Sequence, residues 1–329
     1  MVTPSDPSSR APAASSVPPA PPSPPTHPST RVKHVQSSLF TCLAIAATAL
    51  ICFLVLFIVI DILINGLPHL SWRLIFSGTD EGMFDITRAG LAPMIVGTAA
   101  LVVLMTIFVM PAGVATAIFL NEYARPDAWL TRIVRAAINN LAGVPSIVFG
   151  LFGLGFFVYF AGASMDRLLS DGQSIWGQPA LIWASLTMAA LTLPVVIVTT
   201  EEALRGVPRE HREASLALGA TRLQTIWRVV LPQSFAGILT GGILAIGRGA
   251  GEVAPILFTG AVFYMRGLPG ALTDKFMHLG YHIFILSTQS PNIDQTRPLL
   301  YATVLVLLIL TVALNAAAVL LRAHIQRKV

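Results

Sequence analysis

The chain has 329 residues, 54% of them hydrophobic and 11% charged, with a formal net charge of +5. Soluble domains carry about 25% charged residues, so this composition excludes an ordinary soluble protein and points to an all-α integral membrane protein. The basic excess by itself suits nucleic acid or a membrane surface equally, until its distribution along the chain is read.

The N-terminal stretch, residues 1–35, is a Pro-, Ser- and Ala-rich segment without apolar periodicity, including "PPAPPSPP". It lacks the apolar surface needed to offset ordering entropy and is expected to be a disordered, partly polyproline tail. PxxP spacing admits a protein-binding role, but composition favours a solvated tail. It is also too polar for a signal peptide, so the first apolar run is expected to stay as an anchor.

Beyond the tail, residues 36–329 read as one transmembrane domain with six segments of spanning length. These are about 38–64, 92–120 (interrupted by Pro111), 138–160, 180–200 (containing Pro194), 235–258 and 299–321. Cys42 and Cys52 share the first segment. At a rise of 1.5 Å per residue they stand about 15 Å apart and cannot bridge each other.

The connection between the fourth and fifth segments, about 201–234, is far longer than a hairpin needs, and it is patterned like folded helix. Pro208 suits a first helical turn, and "REHREASLAL" comes next, with small residues on one face. Gly219 supplies a left-handed cap. Thr221 and Gln224 have capping-box spacing, and Leu223, Ile226, Trp227 and Val230 form an apolar stripe. Pro232 is expected to close this second helix before the fifth span. The residues alone leave two readings open: a connector packed on its own spans, or a docking element for a soluble partner.

The fifth segment carries Arg248 near its middle and Glu252 at i+4, expected on one helical face in "ILAIGRGAGEVAPILFTG". A charge at that depth costs about 2.5–3.5 kcal/mol on insertion scales, so it needs a partner or a polar cavity. The two side chains either neutralise each other or line a path, with the arginine offering planar donors to an oxyanion. Pro255 is expected to break or kink this segment, and the Gly237/Gly241 and Gly247/Gly251 pairs fit close helix packing. Further on, His278 and His282 stand at i and i+4 in "KFMHLGYHIFIL". An interfacial amphipathic helix on the outer surface is the reading preferred over a metal pair, and no metal site is expected.

Six spans place both termini on one side. Fourteen of the 21 Lys and Arg residues fall on the tail side. Only Arg73, Arg88, Arg167, Arg266, Lys275 and Arg297 fall opposite. This is a positive-inside bias with both termini and the 201–234 segment cytoplasmic, and it removes the case for nucleic acid.

Glu213-Ala214-Ser215, then Gly219, then Val229-Val230-Leu231-Pro232 resemble the EAA motif of ABC-importer permeases: EAA, three residues, Gly, nine residues, Ile-x-Leu-Pro. Ser215 replaces Ala and Val229 replaces Ile. "LAGVPSIVFGLFGLG" (141–155), "GEVAPILFTGA" (251–261) and "LLYATVLVLLILTVALNAAAVLLR" resemble the phosphate-specific, PstA-type branch of that family, over roughly residues 38–325.

The resemblance implies a type I ABC-importer permease fold in a bacterial inner membrane. It makes the 201–234 segment the coupling element, with Glu213, Ala214, Ser215, Gly219, Leu231 and Pro232 at the ATPase contact. It also matches Arg248 and Glu252 to charged residues of the family. The implied partners are a PstC-like permease, two PstB-like ATPase subunits, a PstS-like phosphate-binding protein and membrane lipid. No phosphate-binding GxxxxGK[ST] loop occurs here, so no cofactor is expected on this chain and ATP and Mg would sit on the ATPase. The chain would then be a transport subunit with no enzymatic site of its own. Competing readings are a permease for molybdate, sulfate or phosphonate, and an ATPase-independent secondary transporter using Arg248 and Glu252 as an ion relay.

Overall fold

The structure, a computed structural model, describes residues 30–79, 84–169 and 173–326. The tail expected to be disordered lies outside the described residues as far as residue 29; the first helix opens at Thr30. By its packing the chain divides into two units, Met1–Phe57 and Ile58–Val329, and the boundary falls inside that helix.

Helix α1 (Thr30–Gly66) begins the described chain. Its residues 39–57, in the first unit, are exposed throughout. An apolar helix uncovered on every side is suited to lipid or to a partner chain and not to water.

In the second unit the helices are α2 (Trp72–Phe76), α3 (Ala92–Ile118), α4 (Trp129–Leu141), α5 (Ser146–Phe152), α6 (Ala163–Leu169) and α7 (Leu181–Arg205). After these come α8 (Arg209–Ala217), α9 (Arg222–Thr225), α10 (Leu231–Gly251), α11 (Ile256–Thr259), α12 (Leu279–Thr288) and α13 (Ile293–Gln326). Wide, π-helical stretches extend α3 over Phe119–Tyr123 and join α5 to α6 (Gly153–Gly162) and α9 to α10 (Ile226–Val230). Among the described residues six helical segments are long and apolar enough to span a bilayer: Leu39–His69, Ala92–Tyr123, Ser146–Leu169, Leu181–Arg205, Arg222–Gly251 and Ile293–Gln326.

The centre is built by α3, α7 and α10, where Leu101, Met105, Val109, Met188, Val196, Ala245 and Ala250 are buried together. The first amides of α7 have no partners within their own helix. Carbonyls of the 259–274 loop accept from them: Thr259 from Ala180 at 2.9 Å, Asp274 from Leu181 at 2.8 Å and Leu272 from Ile182 at 3.0 Å. Gly97 of α3 has no room for a Cβ, because the Met277 carbonyl occupies that position. That close approach seats the start of α12 on α3, and Leu279 N–H donates to Thr98 Oγ1 at 3.0 Å.

Three expectations are corrected and a fourth is shifted along the chain. The third span starts at Ser146, not at Ile138, because Gly143-Val144-Pro145 ends α4; a residue before proline is pushed out of the helical region, and α4 is a separate amphipathic helix. Pro232 does not close the second connector helix, since the chain runs helically from Arg222 to Gly251. A proline lacks the N–H for a normal helical bond and its ring crowds the carbonyl four residues back. The wide turn before it, in which Leu231 N–H donates to Ile226 O, makes that room. The break expected at Pro255 is present but falls earlier, at Gly251, and Pro255 is the N-cap of the one-turn α11. His278 and His282 are buried, 1% and 4% exposed, so α12 is not an outer amphipathic surface.

Candidate functional site: the connector and the break in the fifth span

The connector between α7 and α9 is held by local chemistry legible residue by residue. Helix α8 ends in a Schellman arrangement: Gly219 N–H donates to Leu216 O at 3.0 Å and Ala220 N–H to Ser215 O at 3.2 Å. Gly219 has φ +86°, the left-handed region that favours glycine. Thr221 then caps α9 in a reciprocal box: Gln224 N–H donates to Thr221 Oγ1 at 3.3 Å, and Thr221 N–H to Gln224 Oε1 at 2.9 Å. The turn is therefore specified at both of its ends.

Two side-chain bonds clamp α8 to α9 and α10. Ser215 Oγ lies 3.0 Å from Thr225 Oγ1, and His211 Nδ1 lies 2.8 Å from Gln233 Oε1. Ser215, the departure from the Ala of the EAA pattern, thus makes a bond that alanine has no group for. On the other side Arg212 bonds the carbonyls of Val207 (2.7 Å) and Leu204 (2.6 Å) and Glu122 Oε1 (3.2 Å). Beside it Glu201 accepts from Arg135 at 2.7 Å and Arg205 at 3.0 Å.

Glu213, Ala214 and Gly219 are exposed and Ser215 is half-buried. Leu218 is 89% exposed at the tip, where its neighbours are small or polar. Leu231 and Pro232 stand apart from them on the first turn of α10, lining an apolar groove with Trp227, Phe235 and Met110. The two halves of the EAA pattern therefore occupy successive helices joined by the Ser215–Thr225 and His211–Gln233 bonds.

At the far end of α10 the expected charge pair is present, with Arg248 Nε 3.5 Å from Glu252 Oε1. The helical-face argument for it does not hold, because α10 stops at Gly251 and Glu252 is extended at φ −81°, ψ 132°. Arg248 is in the last helical turn, where the helix dipole favours a cation. A Cβ on neighbouring Gly249 would meet Met105 Sδ at 2.5 Å, and Met105 is halfway along α3. The helix therefore ends deep among the spans and not at their edge, which explains why a continuous fifth span over 235–258 is not seen. Irregular backbone at such depth is tolerated where protein or a water-filled cavity surrounds it. Here Gly150 of α5 packs against Pro255 and Phe258.

Several polar groups of these two places gave no signal in the sequence. Arg212 and Glu122 are 90 residues apart in the chain. Asn315 of α13 faces Gly247, its Nδ2 3.4 Å from where a Cβ would sit, and its Oδ1 is buried without a partner among the described residues. The buried imidazole of His278 accepts from Gly280 N–H at Nδ1 (3.1 Å), which puts its proton on Nε2 and argues against that nitrogen as a metal ligand.

Residues 110–329 match the family of binding-protein-dependent transport system inner membrane components. Over 198 residues the chain is 35% identical to the probable ABC transporter permease protein YqgI of Bacillus subtilis, covering 60% of this chain and 61% of that one. It is 36% identical over 209 residues to the phosphate transport system permease protein PstA of Yersinia pestis (59% and 65% covered). With the probable PstA of Methanocaldococcus jannaschii the identity is 28% over 285 residues (86% and 92% covered). The chain thus spans less than two thirds of the length of the first two relatives and nearly all of the third. Among solved structures, a chain of a bacterial alginate ABC transporter in complex with its alginate-bound periplasmic protein superposes with a TM-score of 0.59 at 15% identity, covering 90% of this chain and 96% of that one. A chain of the MetNI methionine ABC transporter gives 0.53 at 21% identity (71% and 95% covered). These two likenesses concern the fold. The chain belongs to the family of inner membrane components of binding-protein-dependent transport systems and has the fold of an ABC-importer permease.

Proposed function

We infer that the chain is one permease half of an ATP-driven importer of inorganic phosphate. The observation that carries the ATP-driven part is the connector: a doubly capped turn, locked to two spans, that presents Glu213, Ala214 and the exposed Leu218 to a partner. The phosphate transport permeases among the chain's relatives support phosphate as the substrate. In this reading α8 and Gly219 seat on an ATPase subunit, two such subunits bind ATP and Mg, and their closure moves the spans. A second, PstC-like permease completes the path, and a phosphate-binding protein delivers substrate from outside. Both chain ends and the connector are cytoplasmic, as the basic residues favour.

Arg248 is the substrate-facing cation of the path, with Glu252 holding it while the site is empty. A guanidinium offers paired donors matched to a tetrahedral oxyanion. This chain forms or breaks no covalent bond. Molybdate, sulfate or phosphonate remains the alternative cargo, since the connector says nothing about the anion.

The test is uptake of labelled phosphate by cells depleted of this chain and re-supplied with it, against excess sulfate or molybdate. The expected result is restored uptake that ignores both competitors and is lost with Arg248→Ala. Normal expression beside its partners without phosphate uptake would refute phosphate as the cargo. Uptake undiminished in Arg248→Ala would refute the role given to span five.

A further inference from the structure

We propose that Arg212 is the positioning residue through which movement of the connector reaches the second and fourth membrane spans, at the ends of α3 and α7. The inference rests on the ATP-driven reading above and deepens it, because nothing in the EAA pattern assigns this arginine a task.

Among the described residues of α8, Arg212 is the side chain that grips two spans together. Its Nη1 donates to Val207 O at 2.7 Å and its Nη2 to Leu204 O at 2.6 Å. Nη2 also reaches Glu122 Oε1 at 3.2 Å, and both partners are largely shielded, with 19% and 14% of their side chains exposed. Leu204 lies in the last turn of α7, whose carbonyls have no partners within their own helix and favour a cation. Glu122 lies in the wide turn that ends the α3 segment, and Asn121 Nδ2 holds the same Oε1 at 2.8 Å. One guanidinium therefore closes a triangle between α8, the end of α7 and the end of α3. A displacement of α8 either carries those two ends with it or breaks bonds to charged groups, the stronger class of hydrogen bond.

The rest of the connector lacks this property. The Ser215–Thr225 and His211–Gln233 bonds run forward, to the helix that becomes span five. Glu213, the motif residue next to Arg212, is exposed; it lines the same cleft as Asn121 and Glu122 but makes no ion pair across it among the described residues. Glu201, with Arg135 and Arg205, ties α7 to α4 and to itself but does not involve α8. The division of labour is then plain: Leu218, 89% exposed, is left free for the partner, while Arg212 holds the ends of α3 and α7. A lysine cannot substitute, because it presents a compact ammonium in place of a planar fork reaching several acceptors. In addition, Arg212 Nε is buried with no partner among the described residues. That unspent donor is a cost that a second arrangement of the connector can relieve, which suits a part that moves better than a resting cap.

The test uses the whole complex in proteoliposomes, with ATP hydrolysed and phosphate moved measured side by side. Arg212→Gln and Arg212→Lys are expected to keep the ATPase bound and hydrolysis within about twofold of the unaltered complex. Phosphate moved per ATP should fall about 5- to 150-fold, the span of ordinary coupling free energies. Glu122→Gln, which leaves both carbonyl bonds in place, should fall less. An unchanged ratio in Arg212→Gln overturns the proposal. So does loss of the ATPase from that complex, which would make Arg212 a docking or folding contact. An unaltered complex that moves sulfate or molybdate instead overturns only the phosphate assignment, and the ratio is then read with that anion. An unaltered complex that moves its substrate without ATP overturns both readings.

Discussion

Gly219 offers the sharpest single test of the connector, because the structure separates its two possible penalties. Its φ of +86° lies in the left-handed region, while a Cβ built on it meets nothing within 4 Å. The steric term inside this chain is therefore absent, and the cost that this chain itself sets on a side chain is conformational. A left-handed non-glycine residue costs about 1–2 kcal/mol, and strained backbone positions reach about 3. At 1.36 kcal/mol per factor of ten, Gly219→Ala lowers the population of the native cap by about 5- to 30-fold. Gly219→Val, β-branched, lies at or beyond the upper end of that range. Asparagine tolerates the left-handed region and should lose little. Uptake of labelled phosphate, normalised to protein in the membrane, should therefore rank Gly, then Asn, then Ala, then Val, with insertion unaffected. Val indistinguishable from Gly would refute the conformational argument. Asn as damaging as Val would show that the site rejects any side chain, which is contact with a partner and not backbone strain.

Four further outcomes are expected at other places in the molecule. Ser215→Ala removes the bond to Thr225 and should destabilise the connector by about 0.5–1.5 kcal/mol, seen as a lower thermal midpoint in detergent with transport retained. Glu252→Gln leaves Arg248 without its counter-charge, and Arg248→Lys keeps the charge but not the fork; phosphate uptake should fall in both, by about tenfold or more if the guanidinium donates in pairs. Gly97→Ala drives a methyl into the Met277 carbonyl, and such overpacking costs about 1–3 kcal/mol; membrane yield should drop, more than for Gly155→Ala, where a Cβ meets nothing within 4 Å. Burial holds the His278 and His282 imidazoles neutral, pushing them from the usual 6.5 down to about 3 and about 4. Below pH 6.5 the unfolded chain therefore binds more protons than the folded one, and stability falls with falling pH until those lower values are reached. Thermal midpoints between pH 7 and pH 4 should decline less in His282→Phe than in the unaltered chain, and equal slopes would refute the assignment.

The parts of this fold legible in the sequence are those fixed by local chemistry. Apolar length located the spans, because a bilayer admits few alternatives, and glycine and capping residues located the connector turn to the residue. What escaped was decided by neighbours. Ile138 to Leu141 are apolar enough to join a span, but Gly143 and Pro145 turn the chain there, and α4 is set apart by Arg135 reaching Glu201 66 residues away. Pro232 looked like a terminator because the wide turn that accommodates it has no sequence mark of its own. The end of α10 at Gly251 was invisible for a similar reason: its surroundings come from α3, α5 and α7. Arg248 and Glu252 could be singled out as charges in an apolar run, although the backbone that brings them together is a helix end and not a helix face. Arg212 sat unnoticed in a charged run, since its acceptors are mostly carbonyls, which every residue possesses.

The unbroken run of helix from Arg222 to Gly251 makes the connector and the charge pair two ends of one lever. At 1.5 Å per residue, Arg222 and Arg248 are separated by about 40 Å. A tilt of about 5° at the connector end sweeps the guanidinium end through about 3 Å over that length, the reach of one hydrogen bond. A small rotation is thus enough to make or break a polar contact of Arg248, such as its pairing with Glu252, and the amplification resides in the length of the rod.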